Sequence, residues 1–286
     1  SEMCIRDRIM TINSRKILRI YKSLEKDQVQ FVLDKKIEDT LTIEEWLAKL
    51  HRIAEMDTIG DESRKQAGNL SIVFGVLTIA TIILTISKPI LFFFPIGFLT
   101  LFVYFLVTFF LLSKIDIGNN LRLFIIPMLE YFRKKGSVKE PFSLRMDFSH
   151  PITKERLSES DEEDNQKPGN IYRHHWMEGK MVFEDGVKIT WEIEDVINKR
   201  DSGIRRSGNK KTTAGRYEIQ HVLNMHFSAP KEHFIAVNKD MMETDDGLYY
   251  ITSIHKKDIS ESLEEGMSPE VFTSSIDEGY HFVRLK

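Results

Sequence analysis

The residues best suited to bind a ligand form a basic stretch in the C-terminal half of the chain. Asn198–Arg216 contains one acidic residue, Asp201, and is rich in Gly and Ser. Its basic residues are Lys199, Arg200, Arg205, Arg206, Lys210, Lys211 and Arg216. The simplest interpretation is a flexible solvated loop. The functional alternative is a site for phosphate or anionic lipid headgroups, and nucleic acid is disfavoured because no aromatic residues are interleaved.

Other motifs associated with chemistry are weak. Gly203 and Gly208 have the spacing of a phosphate-binding P-loop, but Asn209 stands where the lysine should be. His174 and His175 are adjacent on a predicted strand, so their side chains point to opposite faces and cannot chelate one ion together. We therefore predict no catalytic residue, no cofactor and no metal site. Catalysis by residues that are distant in sequence stays open.

Alternating apolar residues predict that strands position these groups. Phe142–Phe148, Val187–Ile193 and Tyr217–Phe227 alternate apolar and polar residues, which is typical of an antiparallel sheet with one buried face. Asp185-Gly186 predicts a hairpin with a type I′ turn. We expect six or seven strands within residues 137–286, arranged as a sandwich or a partly open barrel.

Two apolar segments precede this β domain. Leu70–Ile86 and Ile90–Leu112 are separated by Ser87-Lys88-Pro89, and Lys88 is the only charged residue between Lys65 and Lys114. A helix needs about 20 apolar residues to cross a bilayer, so we predict a two-helix transmembrane hairpin over residues 67–113. A buried hairpin of a soluble protein and a cleavable signal peptide are the disfavoured alternatives.

The charges that flank the hairpin predict its orientation. Residues 1–136 hold 19 Lys and Arg against 15 Asp and Glu, whereas residues 137–286 hold 21 against 28. Basic residues collect beside the outer ends of the hairpin, which places both termini in the cytoplasm by the positive-inside rule. We expect the hairpin to lie in a bacterial inner membrane.

The segments on either side of the hairpin have helical periodicity. We predict a cytoplasmic helical segment over residues 10–66, with a capping box of Thr42 and Glu45, and an amphipathic helix over 114–136 that lies in the membrane interface or continues the second span. Residues 1–9 are predicted to be a non-native leader, since SEMCIRDR resembles translated sequencing-adapter sequence.

Three functional hypotheses are consistent with this organisation. The first is a membrane-anchored cytoplasmic binding or scaffolding module, with the lipid bilayer and anionic headgroups or a protein as partners. The second is a membrane-anchored enzyme with its site in the β domain. The third is a subunit of an oligomeric channel or transporter, which the absence of Asp, Glu, His and Arg from the spans disfavours. A homo-oligomer is compatible with all three.

Overall fold

A computed structural model describes residues 14–87, 93–135, 140–160, 170–200, 216–237, 242–244, 247–260, 268–281 and 283–285. The chain forms two compact units. The first comprises Ser1–Leu33 and His51–Ile117, and the second comprises Asp34–Leu50 and Gly118–Lys286. The predicted leader, residues 1–9, lies outside the described residues.

The first unit is helical. Its elements are α1 (Ser14–Ser23), most of α2 (Lys26–Asp34), the greater part of α3 (Ile43–Ser87) and α4 (Phe93–Ile115). The predicted capping box forms at the start of α3, where the Thr42 amide donates to a carboxylate oxygen of Glu45 at 2.9 Å. Helix α3 then continues for 45 residues without a break.

Helices α3 and α4 contain two segments that are long and apolar enough to cross a membrane. They pack through aromatic rings against small residues. The Phe74 ring stacks on the Phe105 ring with centroids 5.4 Å apart, and Gly75 leaves room for the ring of Phe102. The hydroxyls of the apolar segments donate to carbonyls of their own helix, as that of Thr78 does to Phe74 at 2.7 Å.

The second unit is built on one antiparallel sheet. Its strands are β1 (Lys36–Leu41), β2 (Phe142–Asp147), β3 (Leu157–Ser160), β4 (Asn170–Val182), β5 (Lys188–Arg200), β6 (Arg216–Ala229), β8 (Met242–Glu243) and β9 (Leu248–Ser260). Their order is β1-β2-β4-β5-β6-β9-β8, with β3 also paired to β4. A separate pair joins β7 (Phe234–Ala236) to β10 (Val283–Leu285).

Helices cover one face of this sheet. A π-helical turn (Leu121–Ile125) leads into α5 (Ile126–Lys135), and α6 (Pro269–His281) lies near the C-terminus. The Phe132 ring on α5 lies 6.0 Å from the Trp191 ring on β5, and the Phe272 ring on α6 lies 5.5 Å from the same indole. The predicted antiparallel sheet is confirmed, but it forms no closed barrel in the described residues, and helices rather than a second large sheet cover this face. The covering layer in the described residues is helical, because the apolar faces of these helices fill the place of a second sheet.

The surroundings predicted for the amphipathic helix over residues 114–136, a membrane interface or a continuation of the second span, also differ from those in the structure. Helical structure begins at Leu121, and the apolar face of this helix is buried within the second unit rather than in a membrane interface. The buried residues of that face are Leu121, Phe124, Ile125, Met128 and Phe132. The π-helical turn precedes Pro127, which has no amide hydrogen for a regular helical bond, so the wider turn accommodates its ring.

The hairpin between β4 and β5 forms at the predicted residues but with a different turn. Gly186 has a positive φ of 84°, whereas the φ of Asp185 is not positive. The Gly186 amide donates to the Phe183 carbonyl at 3.0 Å, and the Phe183 amide donates to the Val187 carbonyl at 2.8 Å. This is a three-residue loop with glycine in the left-handed position, rather than a type I′ turn.

Candidate functional site: the open face of the sheet

The basic stretch predicted from the sequence connects two neighbouring antiparallel strands. Lys199 and Arg200 end β5, Arg216 begins β6, and Arg200 lies opposite Arg216 in the strand register. Arg205, Arg206, Lys210 and Lys211 lie outside the described residues. The structure therefore places the two ends of the stretch at one end of the sheet.

The face of the sheet opposite the helices carries polar side chains. A bulge in β4 between His175 and Met177 moves its side chains from one face to the other, so that both Trp176 and Met177 are buried. Beyond this shift the alternation continues across the three central strands. Polar residues of this open face include Arg173, His175, Glu178 and Lys180 on β4, Thr190, Glu192 and Glu194 on β5, and Asn224 and His226 on β6.

Two adjoining depressions lie on the open face. The larger has a volume of about 350 Å³ and includes Lys180, Asn224 and His226 in its lining. The smaller has a volume of about 260 Å³ and includes Arg145 and His175 in its lining. Both are lined by Glu178 and Glu192, so the two depressions adjoin at these side chains, and together we call them the trough.

His175 lies between two carboxylates of the next strand. Its Nδ1 is 2.5 Å from an oxygen of Glu192, and its Nε2 is 3.2 Å from Oε1 of Glu194. The other oxygen of Glu194 accepts a hydrogen bond of 3.3 Å from Arg173. The side chain of Glu194 is 9 % exposed, whereas that of His175 is 58 % exposed. This cluster therefore combines an accessible imidazole with a nearly buried carboxylate.

Comparison with protein-family models, with curated proteins and with solved structures finds no significant match for this chain.

The helix-covered face contains a second group of polar residues. Asp195 accepts from Nε1 of Trp176 at 3.2 Å, and its Oδ1 lies 2.7 Å from Nδ1 of His221. His174 lies directly opposite Asp195 in the strand register. His174 is 6 % exposed and His221 is fully buried. A substrate cannot reach these groups in this conformation, so we interpret them as a buried polar network of the core.

Asp147 forms a further polar centre where β2 ends. Burial by itself would raise the pKa of this carboxyl, but contacts from His174, Ser149 and Lys36 outweigh burial and hold its pKa well below the usual range. Arg156 also contacts it, with Nη2 2.7 Å from Oδ2. The carboxylate is thus ionised and surrounded by donors, which is typical of a structural role.

Three carboxylates in the first unit lie close enough to hold a metal ion. One oxygen from each of Asp57, Asp61 and Asp116 lies within 4.8 Å of the others. Arg64 forms ion pairs with Asp61 and Asp116, and Oδ1 of Asp57 accepts from the Ile117 amide at 2.8 Å. Burial, followed by the proximity of Asp61, raises the pKa of Asp116 although Arg64 opposes the shift. The space that they enclose is too small for a water molecule, so it leaves no room for a hydrated ion.

Sequence reasoning missed the cluster around His175. The alternation of β5 places Glu192 and Glu194 on one face, and this could be read from the sequence. The strand of His175 could be inferred, but its register against β5 could not, because the bulge between His175 and Met177 shifts the pairing. The position of His175 between two carboxylates can be recognised only when the register of β4 against β5 is known.

Proposed function

We propose that this protein is an integral membrane protein whose α3–α4 hairpin anchors an extramembrane α+β binding module. The observation that carries the proposal is the exposure of the apolar helices. Only 11 % of the most apolar window of each helix is buried. A core helix of a soluble protein would bury most of such a window, since exposing large apolar side chains to water is unfavourable by about 25 cal/mol per Å². A bilayer removes that cost.

The proposed topology places both termini in the cytoplasm of a bacterium, with the hairpin in the inner membrane. Arg64 and Lys65 precede the first apolar segment, and Lys114 and Arg122 follow the second. Lys and Arg are enriched in the cytoplasmic flanks of transmembrane helices. The short connection around Lys88 would then be the only part on the far side.

A role in binding is supported by the polar trough of the open face. Its lining offers hydroxyl, amide, carboxylate and ammonium groups on rigid strands, which suits recognition of a polar partner. An enzyme is the second candidate, favoured by the accessible imidazole of His175 between Glu192 and Glu194. The channel hypothesis gains no support, because the six Ser and Thr hydroxyls of the described spans bond to carbonyls of their own helices.

The basic stretch provides the test of a membrane-docked module. In the full-length chain carrying Cys4→Ser, Ser207→Cys would be labelled with an environment-sensitive dye and the protein placed in lipid nanodiscs. If the stretch contacts anionic headgroups, we expect a blue shift of dye emission in phosphatidylglycerol but not in phosphatidylcholine.

A neutralised variant is the control for this experiment. Replacing Arg205, Arg206, Lys210 and Lys211 with Gln removes four positive charges and should abolish the difference between the two lipids. Raising the salt concentration should have the same effect. Identical emission of the unmodified stretch in both lipids would exclude docking to anionic headgroups and leave a solvated loop or a site for a protein partner.

A further inference from the structure

The contacts of His175 differ between its two ring nitrogens. Nδ1 and the Glu192 oxygen are 2.5 Å apart, which is shorter than an ordinary N–H···O hydrogen bond and leaves no room for an ion between them. Nε2 and Oε1 of Glu194 are 3.2 Å apart. Two ligands of one tetrahedral Zn²⁺, each bonded at about 2.0–2.2 Å, lie roughly 3.3 Å from each other. The second separation therefore fits two ligands of a common ion.

The surroundings of Glu194 favour the same interpretation. Its Oε1 is buried and accepts no hydrogen bond from any described residue, although Nε2 of His175 lies 3.2 Å away. The imidazole and the carboxylate are thus close without being aligned as donor and acceptor. A buried carboxylate oxygen without a donor is costly, and a cation placed between the two atoms would remove that cost.

The groups around this pair have the arrangement that supports a metal site. Glu192 lies beside Nδ1 of His175, where a carboxylate would orient the ring so that Nε2 faces an ion, as carboxylates do for ligating histidines. Arg173 donates to the other oxygen of Glu194 at 3.3 Å, and this fixes the orientation of the carboxylate. The smaller depression of the trough, with a volume of about 260 Å³, borders His175 and provides space for the remaining ligands.

We propose that Nε2 of His175 and Oε1 of Glu194 bind a divalent transition-metal ion of the Zn²⁺ type on the open face of the sheet. Imidazole and carboxylate ligands suit Zn²⁺ and its spectroscopic substitute Co²⁺. The chain supplies two ligands, and the other coordination positions are filled by water or by a group of the bound partner. The site does not depend on the hairpin lying in a membrane.

The test measures metal binding by the full-length, tag-free chain carrying Cys4→Ser in detergent micelles. Zn²⁺ affinity would be determined by calorimetry, and the absorption spectrum of added Co²⁺ would report nitrogen and oxygen coordination. We expect one ion per chain. His175→Gln and Glu194→Gln should each weaken Zn²⁺ binding by about tenfold or more, and Glu192→Gln by about tenfold through loss of the orienting carboxylate.

His226→Gln is the matched control. His226 also lies on the open face, but it faces Thr190 in the strand register rather than a carboxylate. This variant should bind Zn²⁺ as the parent chain does. The proposal would be overturned if the parent binds no Zn²⁺, if His175→Gln or Glu194→Gln binds as tightly as the parent, or if His226→Gln loses the ion. Circular dichroism of each variant establishes that it is folded, and if one of the two ligand variants fails to fold, the other still tests the site.

Discussion

Asp147 shows how single side chains hold the β domain together. Its carboxylate lies 3.1 Å from Nζ of Lys36 on β1 and 2.7 Å from Nη2 of Arg156, and it accepts from the Ser149 amide at 2.9 Å. These contacts connect the edge strand β1, the end of β2 and the segment that follows it. The residue therefore joins the edge strand β1 to the end of β2 and the segment that follows it, which are distant from β1 in sequence.

Asp147→Asn should destabilise the protein at neutral pH by about 1.5–3 kcal/mol, the usual contribution of hydrogen bonds to a charged group. Because the folded protein lowers the pKa of Asp147, its contribution is fully present above the unfolded pKa of about 3.9 and is lost as the pH falls toward the folded value. The difference in melting temperature between the parent and Asp147→Asn should therefore shrink below about pH 4.

Glu178→Gln is the control for this prediction. Glu178 pairs with Arg145 at 3.1 Å, but both side chains are more than half exposed. Exposed pairs contribute about 0–1 kcal/mol, so this variant should melt close to the parent at every pH. A loss in Glu178→Gln equal to that in Asp147→Asn would contradict the structural role assigned to Asp147.

At the level of elements, the sequence predicts some features well and others not at all. The alternation in Phe142–Phe148, Val187–Ile193 and Tyr217–Phe227 corresponds to β2, β5 and β6, because one buried face dictates period two. The strand β1, with the sequence KIEDTL, was missed within a stretch expected to be helical. It is a charged edge strand with neither face fully buried, so its hydrophobic pattern is weak. Pairing with β2 determines its conformation.

Close packing also lies beyond what the pattern can predict. A Cβ on Gly179 would lie 2.2 Å from Cζ2 of Trp191, so the glycine in β4 allows the indole to lie across it. The sequence shows a glycine within a strand, which often marks a close approach. It does not show that the approaching group is a tryptophan of the next strand.

The packing of α3 on α4 gives a prediction for the hairpin. A Cβ on Gly75 would already lie 3.3 Å from the Phe102 ring, whereas a Cβ on Gly97 has no atom within 4 Å. Gly75→Leu should therefore push the helices apart and lower the melting temperature in detergent, since small residues allow transmembrane helices to approach closely. Gly97→Leu should leave the melting temperature near that of the parent. Equal effects of the two substitutions would contradict this helix pairing.

At the scale of the whole molecule, the sequence predicts the division into apolar helices and a β domain. It does not predict that helices cover one face of the sheet. The apolar face of Leu121–Phe132 was assigned to the membrane or to a continuing span because helical periodicity does not identify the surface that a helix packs against. In the structure that face is buried by the second unit. The exposed apolar surface of the described helices is then concentrated in α3 and α4, where Ile72, Ile79 and Phe93 are more than 60 % exposed.

The accessibility of the connection between α3 and α4 tests the central claim most directly. In a chain with Cys4→Ser, single cysteines would be introduced as Lys88→Cys in the connection or Ser23→Cys in α1, and intact bacterial cells would be treated with a membrane-impermeant maleimide. We predict that Lys88→Cys reacts in intact cells and that Ser23→Cys reacts only after lysis. If both cysteines react only after lysis, the hairpin does not cross the membrane and the proposed anchor is wrong.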